Sequence, residues 1–276
     1  MPDKHDFLVE IGTEELPPRA LKNLSQKFAD GIRAGLDDAA LSHGELTVYA
    51  TPRRLAVRVQ GLLGKQVERE LELRGPPAKI AFDKDGKPTR AAEAFAQKCG
   101  VEVSQLQKIE TDKGAWLIHR GTEKGKTAAS LLPNIVTAAL NALPIPKRMR
   151  WGTKEEEFVR PVHWVVLMLD SHIVPANFFG LPSGRQSVGH RFHAPEAFDL
   201  GSPAEYEESL LQRHVIASFE KRQAMISEAV AEAAARLGGT AVSDAALLDE
   251  VTALVEWPVA VSAAFDERFL ALPEEV

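Results

Sequence analysis

The sequence predicts an α+β fold, built from mixed sheets with packed helices in at least two subdomains. Segments with the two-residue period of strands and segments with the period of helices both occur. Along the chain, strands and helices do not follow each other in regular turn, as they would in a parallel α/β fold. A proline-rich stretch at residues 143–146 separates two regions that each contain both patterns. The 276 residues, 45% of them hydrophobic, suffice for one large or two ordinary domains.

The first half of the chain opens with a strand and a long helix. Phe7, Val9 and Ile11 alternate with their neighbours, as in a mostly buried strand. Apolar residues at three- and four-residue spacing then predict a helix over about residues 17–41. Pro17 suits its start, because the first turn needs no intrahelical N–H. Further predicted elements are strands near residues 54–60, 67–73 and 115–120 and helices near 89–98 and 127–143.

The second half combines a central strand with another amphipathic helix. Residues 162–169 form an almost uninterrupted apolar run, which is typical of a strand covered on both faces. A helix begins near Phe219 and ends at Gly238, and residues 259–265 are expected to return to strand. We therefore predict an N-terminal α+β domain over residues 1–143 and a second α+β domain over residues 144–276.

The composition limits the chemistry expected of this chain. A net charge of −6 argues against nucleic-acid binding by the whole surface, although it permits a local basic patch. Cys99 is the only cysteine, which excludes a disulfide framework and suits a reducing cytoplasm. His190 and His193 have no nearby cysteine to complete a zinc site, and residues 121–127 are one residue short of a phosphate-binding loop. We assign no catalytic, cofactor-binding or metal-binding residue.

A cationic cluster follows the proline-rich stretch. Arg148 and Arg150 can hold phosphate in a guanidinium fork, and Trp151 can stack on an unpaired base. Three glutamates at 155–157 come directly after and can neutralise the cluster. The alternatives are therefore an RNA contact and a structural loop or subunit interface.

Two other polar segments allow similar alternatives. His190 and Arg191 lie in a polar loop that either contacts a nucleotide or forms its own hydrogen-bond network. Glu14 and Glu15 precede the first helix, where the positive end of the helix dipole favours acidic side chains. A solvated strand face accounts for the arginines near residue 54 as well as phosphate contacts do. These are Arg53, Arg54 and Arg58.

Six phrases occur in an order that resembles one known family. They are Phe7-Leu-Val-Glu-Ile-Gly-Thr-Glu-Glu-Leu-Pro-Pro18, Thr51-Pro-Arg-Arg-Leu55, Gly75-Pro-Pro77, Lys147-Arg-Met-Arg-Trp-Gly152, Phe158-Val-Arg-Pro-Val-His-Trp164 and Gly189-His-Arg-Phe192. Together they resemble the front part of the beta subunit of bacterial two-subunit glycyl-tRNA synthetase.

This resemblance implies a non-catalytic, cytoplasmic subunit of a glycine–tRNA ligase that assists tRNA binding and subunit assembly. The implied partners are the alpha subunit and glycine tRNA in an α2β2 hetero-oligomer, with no membrane. It also implies that ATP and Mg bind at the alpha subunit, so the isolated chain is expected to be inactive. Family members continue with an HD-type and an anticodon-binding domain, so we expect the second domain to be incomplete at its C-terminus. The alternative is a stand-alone RNA-binding or scaffold module derived from this family.

Overall fold

The computed structural model describes residues 3–83, 85–111, 114–153 and 155–271 and confirms an α+β fold. In chain order the strands are β1 (Lys4–Thr13), β2 (Leu46–Thr51), β3 (Arg54–Leu63), β4 (Arg69–Pro77), β5 (Gln107–Thr111), β6 (Gly114–Glu123), β7 (Met149–Arg150), β8 (Glu157–Phe158), β9 (Val162–Leu169), β10 (His172–Ile173), β11 (Asn177–Phe178), β12 (Leu181–Pro182), β13 (Gln186–Val188) and β14 (Ala197–Asp199). The α-helices are α1 (Pro18–Asp38), α2 (Ala78–Ala81), α3 (Arg90–Cys99), α4 (Ala128–Asn141), α5 (Tyr206–Leu211), α6 (Phe219–Arg236) and α7 (Ala245–Leu254). Short 3₁₀ helices lie at Val103–Gln105, Pro203–Glu205 and Glu267–Ala271.

The chain forms two compact units, one of which is inserted into the other. The main unit combines Met1–Gly64 with Ala128–Val276, and the inserted unit is Lys65–Thr127. At the point of insertion, the N–H of Ala128 donates to the carbonyl of Gly64 at 2.8 Å. Within the inserted unit, the N–H of Gln66 donates to the carbonyl of Lys126 at 3.0 Å. Both ends of the insertion are therefore held close together.

The main unit is built on a five-stranded antiparallel sheet in the order β10-β9-β1-β3-β2. Val9 of β1 lies opposite Val57 of β3 on one side and Leu167 of β9 on the other. Both faces of the sheet are buried, since Leu167 belongs to one apolar cluster and its neighbour Val166 to another. The prediction that the strand at residues 162–169 is covered on both faces is confirmed.

Helix α1 covers one face of this sheet. Pro18 occupies the start of the helix, where its missing N–H costs no hydrogen bond. The residues predicted to form its apolar stripe are all buried, and the helix ends three residues earlier than predicted. They are Leu21, Leu24, Phe28, Ile32 and Leu36.

The inserted unit has its own sheet and core. Its three antiparallel strands follow the order β4-β6-β5. Helices α2 and α3 contribute Ala81, Ala92 and Phe95 to a small apolar cluster with Leu117 of β6. Helix α3 ends one residue beyond the predicted residue 98, and Gly100, which has a φ of 69°, caps it.

The predicted domain boundary at residues 143/144 does not coincide with these units. Strand β9 follows the prolines in sequence but pairs with β1, so residues beyond 144 complete the first sheet. The strand expected at residues 259–265 is absent, and Val259, Val261 and Phe265 are exposed there. Over the part of the chain that the structure describes, we find no helix long and apolar enough to cross a membrane.

Candidate functional site

Four of the six sequence phrases meet where β1 ends. The N–H of Thr13 donates to the carbonyl of Arg53 at 2.8 Å, and the N–H of Glu14 donates to that of Pro161 at 2.9 Å. The Gly189–Phe192 phrase reaches the same place through the side chain of Arg191. We call this meeting point the β1 junction and define it by Glu14, Glu15, Arg53, His163 and Arg191.

Glu14 binds two partners within the β1 junction. Its Oε2 accepts a hydrogen bond from Nη2 of Arg191, and its Oε1 lies 2.9 Å from Nε2 of His163. Nη1 of Arg191 also lies 3.6 Å from Oε1 of Glu15. The bond from Arg191 lowers the pKa of the Glu14 carboxyl, despite partial burial. The glutamates thus bind an arginine from a distant loop, in addition to preceding α1 as the sequence predicts.

Gly12 occupies a position that admits no side chain. The Trp164 indole packs so closely that a Cβ at residue 12 would lie 1.9 Å from its ring. The indole N–H donates to the carboxylate of Glu10, which fixes the ring against the strand. Arg53 lies over the same ring, with its guanidinium carbon 5.6 Å from the centroid. Gly12 thereby allows the strand, the indole and the β1 junction to pack together.

A buried charged network lies beside the junction. Glu10, Arg54 and Glu256 are all buried, and Nη1 of Arg54 lies 3.5 Å from Oε1 of Glu256. Ser187 donates to Glu10 at 2.7 Å, and Thr51 donates to Glu256 at the same distance. Burial opposes the charge on Arg54, but the two glutamates outweigh it and raise its pKa.

The expectation of a solvated strand face for Arg54 is therefore wrong. Because helices and loops cover both faces of the sheet, Arg54 of β3 is shielded from water whichever face its side chain lies on. Arg58, farther along β3, is mostly buried and pairs with Asp6 at 2.9 Å.

Arg222 of α6 is a second buried cation that sequence reasoning did not identify. Its Nη1 donates to the carbonyl of Ile216 at 2.6 Å, and its Nη2 donates to that of Ala50 at 2.7 Å. A longer contact of 3.3 Å joins Nη2 to the carbonyl of Thr252. Burial lowers the pKa of Arg222 to about 10, which leaves it a cation at neutral pH. This side chain ties α6 and α7 to the end of β2.

The predicted cationic cluster lies on the β7–β8 hairpin. Arg150 pairs with Glu157 at 2.8 Å, as the alternative of a structural loop requires. Its side chain nevertheless stays 64% exposed. Arg148 donates through Nη2 to the carbonyl of Asn141 at 3.2 Å. Trp151 is partly buried against the core, with its ring centroid 6.3 Å from that of Phe179. Arg150 is thus available to a partner, whereas Arg148 is half-buried and the indole mainly packs inward.

His190 and Arg191 line a different cleft. The Nδ1 of His190 accepts the N–H groups of Phe192 at 3.2 Å and His193 at 3.3 Å, so the loop does form its own network. Burial lowers the pKa of His190. Phe192 is 82% exposed, and with Trp257 it lines a cleft of about 170 Å³ that also contains His190 and Arg191. Among the residues that the structure describes, no group of three or more His, Cys, Asp or Glu side chains could hold a metal ion.

The sequence matches the family described as "Glycyl-tRNA synthetase beta subunit" over residues 7–276. The chain belongs to this family. Three relatives, each named glycine–tRNA ligase beta subunit, agree with this assignment. The relative from Edwardsiella ictaluri is 52% identical over 98% of this chain, that from Hahella chejuensis is 49% identical over 98%, and that from Enterobacter sp. (strain 638) is 49% identical over 100%. The chain spans only 39–40% of the length of these relatives.

Proposed function

We propose that this chain acts as the N-terminal part of the beta subunit of a glycine–tRNA ligase. The observation that carries this proposal is the 52% identity, over 98% of the chain, to a protein of that name. In this role the chain assists tRNA binding and assembly with an alpha subunit, in an α2β2 enzyme of the cytoplasm. The overall reaction joins glycine to tRNA and converts ATP to AMP and pyrophosphate. ATP and its Mg ion bind to the alpha subunit in this proposal, and that subunit forms the aminoacyl bond.

The β1 junction supports an architectural role for its glutamates. A general acid must hold a proton near neutral pH, but the lowered pKa of Glu14 keeps it ionised. Both glutamates also face the same guanidinium, that of Arg191, so they join chain segments. The junction therefore supports a role in joining chain segments rather than one as a general acid.

We assign the tRNA contacts to guanidinium groups, of which that of Arg150 is the most exposed. Arg150 keeps its Nη atoms available while Nε binds Glu157, and a guanidinium can hold phosphate through a pair of N–H groups. Arg148 and Arg191 are the other candidates, with His190 as an uncharged neighbour of Arg191. In this proposal, Trp151 packs against the apolar core and holds the hairpin in place, and it does not stack on a base.

An aminoacylation assay tests the proposed division of labour. The purified chain is mixed with ATP, glycine and glycine tRNA, and glycyl-tRNA is measured with no alpha subunit present. We expect formation at the level of a no-protein control. Turnover well above that level contradicts the assignment of chemistry to the alpha subunit.

A salt titration tests the tRNA contacts. In the complete alpha–beta enzyme, replacing Arg148 and Arg150 by Ala should weaken tRNA binding and flatten its salt dependence by up to about one slope unit per lost phosphate contact. Arg236→Ala is a matched control, because Arg236 is an exposed arginine at the end of α6. Unchanged tRNA affinity together with a lower melting temperature contradicts the assignment of RNA contacts, and it shows that the two arginines stabilise the fold instead.

A further inference from the structure

A second groove lies between the start of α1 and the proline-rich stretch. It has a volume of about 500 Å³ and lies on the main unit. We call it the proline groove. Its defining residues are Pro17, Leu24, Pro146, Lys147, Met149 and Arg160. Three of the family phrases contribute to it, since Pro17, Met149 and Arg160 each come from a different one.

The walls of the proline groove are rigid. Pro17, Pro144 and Pro146 all line it, and each proline ring fixes its own φ angle. A preformed surface loses little conformational entropy when a partner binds. Prolines also lack a backbone N–H, so a partner must be recognised mainly by its side chains. These properties favour an apolar segment that inserts side chains into the groove.

The rim of the groove is positively charged. Lys147 is exposed, and within the described ranges no carboxylate oxygen lies within 4 Å of its ammonium group. Arg160 donates through Nε and Nη1 to the carbonyls of Glu15 and Val159, both at 2.9 Å, and among the described residues no carboxylate forms an ion pair with it. Among the described residues, those that line the groove include these two cations and no Asp or Glu. A partner with acidic side chains beside its apolar ones therefore complements this surface.

Protein fits this surface better than RNA does. The apolar lining consists of proline and aliphatic side chains with Met149, and it offers no aromatic ring on which a base can stack. Aliphatic pockets instead accept side chains such as leucine, and an exposed methionine adapts to their shape. The RNA candidates Arg148 and Arg150 are neighbours in sequence but do not line the groove.

We propose that the proline groove binds an acidic, apolar segment of the alpha subunit. This inference rests on the proposed function, which supplies the alpha subunit as a partner. Apolar side chains of the segment fill the groove, and its carboxylates face Lys147 and Arg160.

Site-directed photo-crosslinking in the complete alpha–beta enzyme tests this proposal. A benzoylphenylalanine placed at Met149 should crosslink to an alpha-subunit peptide that contains Asp or Glu. Met225 of α6 is the matched control, since its exposure of 44% is close to the 38% of Met149. The same probe at Met225 should give no alpha adduct. An adduct with tRNA or with the beta chain overturns the proposal, as does the absence of an adduct in an assembled enzyme.

Charge reversal provides a second, independent readout. Lys147→Glu should weaken alpha–beta association about tenfold or more at low salt, because it places a carboxylate opposite the carboxylates of the segment. Lys98→Glu is the control, because Lys98 is exposed on the inserted unit. Equal association of both variants overturns the proposal. If the unmodified chains neither assemble nor charge tRNA, the proposed function itself is contradicted. If they do both, the association of the Lys147 and Lys98 variants tests only the proposed role of the groove.

Discussion

Replacing Arg222 by Met should destabilise the main unit strongly. Methionine keeps much of the buried volume but removes the donors that Arg222 directs at the carbonyls of Ile216 and Ala50. A hydrogen bond from a charged group contributes about 1.5–3 kcal/mol, so the two short bonds predict a loss of about 3–6 kcal/mol. A chain of this size loses about 2–4 °C of melting temperature per kcal/mol, which gives a shift of about 6–24 °C. Arg222 also makes longer contacts of 3.2–3.4 Å to the carbonyls of Ala217, Ser218 and Thr252, which do not enter this range.

Urea unfolding followed by circular dichroism provides the measurement. The transition midpoint of Arg222→Met should fall with little change in slope, and Arg222→Lys should recover part of the loss because it retains a charged donor. Arg236→Met, at the exposed end of the same helix, should change the unfolding free energy by less than about 0.5 kcal/mol. A loss below about 1 kcal/mol for Arg222→Met would show that the carbonyls find other donors, and would refute the reasoning.

Two further predictions concern the ends of β1. Gly12→Ala forces a Cβ into the Trp164 ring and should cost about 1–3 kcal/mol or more, whereas Gly239→Ala, whose nearest neighbour would be 3.8 Å away, should be tolerated in the same melting assay. At the other end, the hydrogen bond with Asp170 raises the pKa of His5, so the pair stabilises the fold fully below the unfolded value of 6.5 and loses this effect as pH rises through the folded value. Asp170→Asn should therefore lower stability more at pH 6 than at pH 9, and equal losses at both pH values would contradict the pairing.

Local patterns in the sequence were sufficient to predict some elements of the main unit, of which α1 and β9 are the clearest. The apolar periodicity of α1 and the uninterrupted run of β9 each specify both the element and its burial. The order of the sheet was not predictable, because β1 pairs with β9 across a separation that leaves no local signal. Phe7, for example, lies opposite Leu169. The same long-range pairing explains why the prolines at residues 144 and 146 do not divide the domains.

From the sequence, the site could be predicted only as separate sequence phrases, and not as contacts between them. The resemblance drew attention to Glu14 and Arg191, but nothing in the sequence indicated that they bind each other. The burial of Arg54 and of Arg222 was missed for a physical reason. Charged residues are rarely buried, so a pattern-based prediction places them in water unless a specific partner is known.

The paired ends of the inserted unit give the chain a modular construction. Gly64 and Ala128 are separated by one hydrogen bond, so the main unit can close its chain there with a link of only a few residues. The entropy of closing a loop grows only slowly with loop length, and an insertion of any size at this point therefore costs the main unit little. We therefore expect that residues 65–127 can be exchanged or deleted while the sheet that supports the β1 junction keeps its strand order.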